Sequence, residues 1–122
     1  MKLTAHSEFG KIHSLIIKPV AAAFQSESLL SAQWKKLNNL SQPDFKNSIA
    51  EYKYFKKIIE NTQSLIYELP CKKNIQIDSI YCRDASVSTN RGMIICNMGK
   101  PERANEPQHQ KKIRTVRHRY FR

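Results

Sequence analysis

Two short apolar runs, each stopped by a proline, most constrain what this chain can fold into. Residues 12–18 read I-H-S-L-I-I-K before Pro19, and residues 64–69 read S-L-I-Y-E-L before Pro70. Both runs have the length of a strand and contain β-branched residues, and a proline cannot donate a hydrogen bond to a neighbouring strand. We therefore predict a strand at each of them.

The segment between the two runs favours helices. Residues 20–26 are predicted to be a loop, whereas residues 27–40 place Trp34 and four leucines at spacings of three and four. This spacing forms one apolar face of a helix and puts Trp34 in the core. A strand, helices and a second strand in this order predict an α/β unit with a crossover connection.

A second helix is predicted for residues 45–61, with Ser41 or Asp44 as its cap. One side of this helix is apolar: Phe45, Ile49, Tyr52, Phe55, Ile58 and Ile59. Three aromatic residues between lysines could instead form a surface for RNA: Tyr52, Tyr54 and Phe55. Because aromatic residues at helical spacing usually pack and lysines usually face solvent, packing is favoured.

Two carboxylates stand close together in the second half of the chain, at Asp78 and Asp84. In an extended chain both would project from the same face. Six extended residues span roughly 20 Å, so both acids could reach one small ligand only across a bend, or if the ligand had two polar ends. Taken alone, Asp84 next to Arg83 is more often a surface ion pair than a ligand site.

A hairpin is predicted next, with residues 93–96 as its second strand and Asn90 and Gly92 in its loop. Both loop residues tolerate left-handed backbone conformations. Arg103 and Glu106 then follow Pro101 at a possible helix start.

Three of these segments resemble the N-terminal part of the guanidine-modifying enzymes: residues 7–11 with Glu8, residues 78–84 and residues 92–106. This superfamily includes arginine deiminases, dimethylarginine dimethylaminohydrolases and amidinotransferases. The resemblance spans about residues 7–107. It implies an α/β propeller (pentein) built from five ββαβ modules, of which this chain would hold the first blade and the start of the second.

The resemblance also implies substrate-binding residues. Asp84 matches the acid that clamps the substrate guanidinium, whose two parallel N–H groups suit a carboxylate. Arg103 matches the arginine that contacts the carboxylate end of an amino-acid substrate, and Asp78 matches a polar residue near the α-amino end. Arg83 departs from the dimethylargininase pattern and fits that of the deiminases and amidinotransferases. The implied ligand is therefore arginine or a related guanidine.

The family's reaction uses a cysteine nucleophile and a histidine acid–base, with no metal and no cofactor. In such enzymes both groups, and a second clamping acid, lie far downstream. None of the cysteines and histidines of this chain matches those motifs: Cys71, Cys82, Cys96, His6, His13, His109 and His118. The chain alone is therefore expected to be inactive. A separately encoded C-terminal chain could complete it, and exposed blade edges could make it self-associate.

A basic tail follows the resembling region. We divide the chain into residues 1–108, the propeller part, and residues 109–122, which look like a truncated or frame-shifted end. The last twelve residues contain six Lys and Arg and no acid, and so carry more than half of the net charge of +11. An alternative function is therefore a small nucleic-acid-binding protein that uses this tail.

The length of the chain and its cysteines limit the classes of protein to which it can belong. At 122 residues the chain is at most one domain. Its three cysteines form no C-x-x-C pair, which favours neither a disulfide framework nor a zinc site. The polar first ten residues lack the apolar core of a signal peptide, and no run approaches the length of a membrane span. A cytoplasmic location is expected.

Overall fold

The structure, a computed structural model, describes residues 9–89, 91–112 and 120–121. These residues form a small mixed α/β arrangement of short strands and helices. In chain order its elements are β1 (Ser14–Ile17), α1 (Val20–Phe24), α2 (Glu27–Gln33), α3 (Phe45–Glu60), β2 (Leu65–Glu68), β3 (Ser86–Thr89), β4 (Gly92–Ile95), α4 (Glu106–Lys111) and β5 (Tyr120–Phe121).

The two proline-terminated runs pair with each other. β1 and β2 are parallel, in register from Ser14 opposite Leu65 to Ile17 opposite Glu68. Parallel neighbours need a long connection, which α1, α2 and α3 provide. The predicted strands and their crossover connection are therefore confirmed.

The first helix was missed by sequence reasoning. Residues 20–26 were predicted to be a loop, but Val20–Phe24 is helical, because three consecutive alanines are strong helix formers and Pro19 stands at the N-cap. The next helix is shorter than predicted. It ends at Gln33, a turn follows, and Asn38 adopts a positive φ of 63°, which asparagine tolerates after a helix.

These helices enclose the main apolar core. Its buried members are Val20, Ala23, Phe24, Leu30, Leu37 and Ile77. Trp34 packs against them while remaining partly exposed, as do Phe45, Ile49 and Tyr52 of α3. α3 begins at the predicted cap, since the side chain of Asp44 accepts a 2.7 Å hydrogen bond from the amide of Asn47.

One flank of α3 remains uncovered. Phe55 is 48% exposed, Ile58 49% and Tyr54 71%, and no residue of the helix is fully buried. The prediction that Phe55 and Ile58 pack inside is therefore wrong for the described part of the chain. The apolar stripe is wider than the part of the helix that packs against the core cluster.

Residues 78–84 are bent rather than extended. Two 3₁₀ turns, Ile77–Ile80 and Cys82–Asp84, replace the strand that alternation suggested. This is the bend that a common ligand for Asp78 and Asp84 would require.

The predicted hairpin is present. β3 and β4 are antiparallel, with Ser86 opposite Ile95 and Thr89 opposite Gly92. Gly92 has a φ of 144°, in the region that favours glycine, whereas Asn90 lies outside the described residues.

A second parallel pair of strands lies at the C-terminal end of the described residues. β5 runs parallel to β4, with Met93 opposite Tyr120, and gives a three-stranded sheet in the order β3, β4, β5. α4 lies between these two strands in sequence and crosses the predicted boundary at residue 108, burying His109 and Gln110. Within the described ranges, no helix combines the length and apolar character needed to cross a membrane.

Candidate functional site: a buried arginine and its carboxylates

A fork of hydrogen bonds fixes Arg103 at the start of α4. Arg103 closes a 3₁₀ turn, Pro101–Arg103, and is 7% exposed. Its Nε donates to Oε1 of Glu106 at 2.9 Å and its Nη2 to Oε2 of Glu106 at 2.7 Å. Both oxygens of Glu106, which is 3% exposed, are thereby used. Such a two-point pair fixes the plane of the guanidinium as well as its position.

The same guanidinium reaches the predicted clamp. Nη1 of Arg103 donates to Oδ2 of Asp84 at 2.7 Å, and Nη2 also donates to the carbonyl of Tyr81 at 3.2 Å. Asp84 ends the second 3₁₀ turn, so the bend in residues 77–84 turns this carboxylate toward Arg103. Two of the three predicted site residues are therefore in direct contact.

Burial and the ion pairs with Arg103 shift the pKa values of this cluster in opposite directions. Burial alone lowers the pKa of Arg103, but hydrogen bonds and charge from Glu106 and Asp84 outweigh it, and the pKa is raised. Burial raises the pKa of Glu106, Arg103 opposes that effect, and the charges of Asp78 and Asp84 add to it. The ionised form of Glu106 therefore depends on Arg103.

Asp84 is the most open member of the cluster. Its side chain is 46% exposed, against 9% for that of Arg103. Among the described residues, only its Oδ2 accepts a hydrogen bond. A carboxylate oxygen at an accessible position is therefore left for a donor from solution.

The third predicted residue, Asp78, belongs to a separate ion pair. It is 4% exposed, and its Oδ2 accepts from Nζ of Lys100 at 3.0 Å. Nδ2 of Asn39 lies 3.5 Å from its other oxygen, and Lys100 also donates to the carbonyl of Leu37 at 2.7 Å. Asp78 thus ties the first 3₁₀ turn to the segment after α2. In this conformation its carboxylate is enclosed.

A second group of titratable side chains lies where β1 ends. Nζ of Lys18, a residue 2% exposed, donates to the carbonyl of Pro70 and lies 3.4 Å from Nε2 of His109. That ring nitrogen is itself 3.0 Å from the Pro70 carbonyl oxygen. Burial lowers the pKa of Lys18 and of His109, and the charge of Lys18 lowers that of His109 further. The pair therefore favours a neutral imidazole.

The three cysteines of the chain are all among the described residues. All three are free, and burial raises the pKa of Cys82, which disfavours its thiolate. Cys96 is partly exposed. In the described ranges, no group of three or more His, Cys, Asp and Glu side chains could hold a metal ion.

One cleft is lined by neither Asp84 nor Arg103. It has a volume of about 360 Å³ and opens between α3 and the end of β1. Its walls are mostly apolar: Ile17, Lys18, Val20, Phe24, Ser48, Glu51, Tyr52, Phe55, Ile80 and Cys82. At its edge the Tyr52 hydroxyl donates to Glu68 at 2.9 Å.

Sequence reasoning missed several residues that pair with the predicted site residues or with each other. Glu106 was assigned only to a helix start, although its i+3 spacing from Arg103 is that of a side-chain pair. Lys100, Lys18 and His109 carried no sequence pattern that singled them out, because their partners are remote in the chain.

Other predicted residues lie outside the described ranges. These are Glu8 and most of the basic tail: Arg114, Arg117, Arg119 and Arg122. Lys111 and Lys112 are described, at the end of α4.

No protein-family model, curated protein or solved structure matches this chain.

Proposed function

We propose that this chain is the N-terminal portion of a guanidine-modifying enzyme, of the kind that includes arginine deiminases, dimethylargininases and amidinotransferases. It supplies part of the clamp for the guanidinium group of arginine or a derivative. The observation that carries the proposal is the 2.7 Å bond between Arg103 and Asp84, in which the proposed clamp already holds a guanidinium. Segments 78–84 and 101–106, which carry the resemblance, meet there.

The order of strands supports the same proposal. β3 and β4 form a hairpin, α4 follows, and β5 returns parallel to β4, which is a ββαβ sequence. β1, its helices and β2 correspond to the last three parts of such a module. A propeller whose first blade and the start of whose second lie in this chain is therefore our proposed fold.

Each clamp residue has a proposed role. Asp84 binds the guanidinium and Arg103 binds the carboxylate of an amino-acid ligand. Asp78 contacts the α-amino end of that ligand, for which its ion pair with Lys100 has to open. The nucleophilic cysteine and the acid–base histidine are absent from the matching positions, so the chain alone is inactive. Neither metal nor cofactor takes part. We place the protein in the cytoplasm, with the remaining propeller modules or a second copy as its partner.

Ligand binding tests the proposal. L-citrulline has nearly the shape of L-arginine but replaces the cationic guanidinium with a neutral urea group. We expect arginine to bind measurably more tightly than citrulline in an NMR titration, and Asp84→Asn to abolish the difference. Asp44→Asn is the matched control, because Asp44 caps α3 and asparagine caps equally well. Equal binding of the two ligands to the unaltered chain would contradict the proposal.

Inactivity of the isolated chain is tested separately. We expect no citrulline from arginine or methylated arginine, because no described thiol is paired with a base. Citrulline formed by the purified chain, and lost after Asp84→Asn, would contradict the proposed inactivity while supporting the proposed substrate.

A further inference from the structure

The buried guanidinium of Arg103 stands where a ligand's guanidinium would have to bind. Arg103 places one N–H on Oδ2 of Asp84 and three more on Glu106 and the carbonyl of Tyr81. A guanidinium has five N–H donors, so four are engaged inside the protein.

An incoming guanidinium binds a carboxylate best through two parallel hydrogen bonds, one to each oxygen. With Arg103 in place, one oxygen of Asp84 is taken. The ligand is then limited to a single-point contact at the exposed side of that carboxylate. The internal arginine therefore opposes the interaction that the clamp is proposed to make.

Glu106 keeps this arginine in position. It is more deeply buried than Asp84, with 4% of its side chain exposed against 46%. It also makes the fork, whereas Asp84 makes one bond. Arg103 can therefore give up Asp84 while it remains anchored on Glu106.

We propose that Arg103 is an internal competitor for the guanidinium clamp, and that Glu106 is the positioning residue that shares Arg103 with Asp84 and anchors it when Asp84 is freed. This inference rests on the proposed function. A ligand that carries a carboxylate replaces Asp84 as the acceptor for Nη1 of Arg103, and the exposed Asp84 carboxylate is then free to clamp the ligand's guanidinium. A guanidine without a carboxylate has no such effect. Arg103 thereby makes the site specific for guanidines that are also acids.

Agmatine, which is arginine without its carboxylate, is the probe. The unaltered chain is expected to bind L-arginine more tightly than agmatine. Arg103→Lys keeps a cation beside Glu106 but cannot bridge the two carboxylates, so Asp84 is released. We expect this variant to bind agmatine roughly tenfold more tightly than the unaltered chain, since one charge-assisted hydrogen bond is regained. Its preference for arginine should disappear.

Glu106→Gln is expected to act in the opposite direction. A neutral partner leaves Asp84 as the main anion for Arg103, so this pair tightens and agmatine binds more weakly. Glu102→Gln is the matched control, because Glu102 lies in the same 3₁₀ turn but pairs with Lys36 at 3.5 Å. A purely structural role for Arg103 and Glu106 would weaken agmatine binding in both variants.

The outcomes separate the two proposals. Suppose that the unaltered chain binds arginine, but that the agmatine affinity of Arg103→Lys does not exceed that of the unaltered chain. The internal competitor is then refuted and the proposed function stands. If neither protein binds either guanidine, the proposed function itself fails. If Arg103→Lys does not fold, Glu106→Gln provides the test. The internal competitor is refuted if this variant binds agmatine as tightly as the unaltered chain or more tightly.

Discussion

Asp78 and Lys100 illustrate how this small chain accommodates buried charge. The carboxylate is enclosed, whereas the lysine side chain is 43% exposed and also donates to a backbone carbonyl. A buried carboxylate without a partner is costly, because it loses its hydration and gains nothing in return. The lysine therefore does more for stability than an exposed ion pair would.

Replacing Lys100 with methionine tests this pair. We expect a loss of about 2 kcal/mol in the free energy of unfolding, because Asp78 stays buried while its cation is removed. Urea denaturation measures the change. Lys36→Met is the control, since the Lys36 side chain is 66% exposed and its pair with Glu102 at 3.5 Å should contribute less than the pair of Lys100 with Asp78. Equal effects of the two substitutions would contradict the assigned role of Lys100.

His109 predicts a pH dependence of stability. Its pKa in the folded chain is lowered by burial and by the charges of Lys18, Lys72 and Lys112, whereas in the unfolded chain it is about 6.5. Below that value the unfolded state binds more protons, so His109 makes the folded state less stable as the pH falls. The raised pKa of Glu106 acts in the opposite direction. A comparison with His109→Gln isolates the histidine.

The urea midpoint of the unaltered chain is expected to fall more steeply than that of His109→Gln between about pH 7.5 and 5.5. Glutamine can keep a hydrogen bond to the carbonyl of Pro70 without titrating. Parallel pH profiles of the two proteins would show that protonation of His109 is not opposed in the folded state.

The sequence indicated which residues are chemically notable, but not how they pair. Asp84 and Arg103 stood out through the resemblance to the guanidine-modifying enzymes. Their contact with each other depends on two 3₁₀ turns that alternation concealed, because residues 78–84 have a strand-like pattern and fold as a bend. A pairing across 19 residues is set by tertiary packing, which no local pattern encodes.

Secondary structure elements were predicted best where two independent sequence patterns indicated the same element. β1, β2, α3 and the hairpin have both a periodic apolar pattern and a terminating proline, cap or glycine. α1 was missed because five residues are too few for a helical period to be visible. Besides the helix propensity of its alanines, packing of Val20, Ala23 and Phe24 in one core with Leu30 and Ile77 stabilises this helix.

The cap of α3 can be tested directly. Asp44→Ala is expected to lower the free energy of unfolding by about 1 kcal/mol, since the amide of Asn47 loses its side-chain acceptor. Asp44→Asn should have little effect, because asparagine caps as well as aspartate. If both substitutions shift the urea midpoint equally, the charge of Asp44 matters more than its hydrogen bond.

Several large apolar side chains are exposed on the described part of the molecule. Besides the flank of α3, Leu65 of β2 is 57% exposed and Val87 of β3 is 52% exposed. In the proposed propeller, neighbouring modules would cover such surfaces.

Self-association of the isolated chain is therefore expected at high concentration. Ile58→Lys should shift its sedimentation toward the monomer, since it places a charge on the uncovered flank of α3. Ala50→Lys adds the same charge to an exposed position of the same helix and is the control. A chain that is monomeric at every concentration would contradict the expectation.

The proposal of a guanidinium clamp at Asp84 is tested most directly by mapping amide chemical shifts as L-arginine is added. We expect the largest changes at residues 81–85 and 101–106, with none of comparable size when L-citrulline replaces arginine. Changes confined to α3 and the end of β1, or equal changes with both ligands, would contradict the proposed clamp.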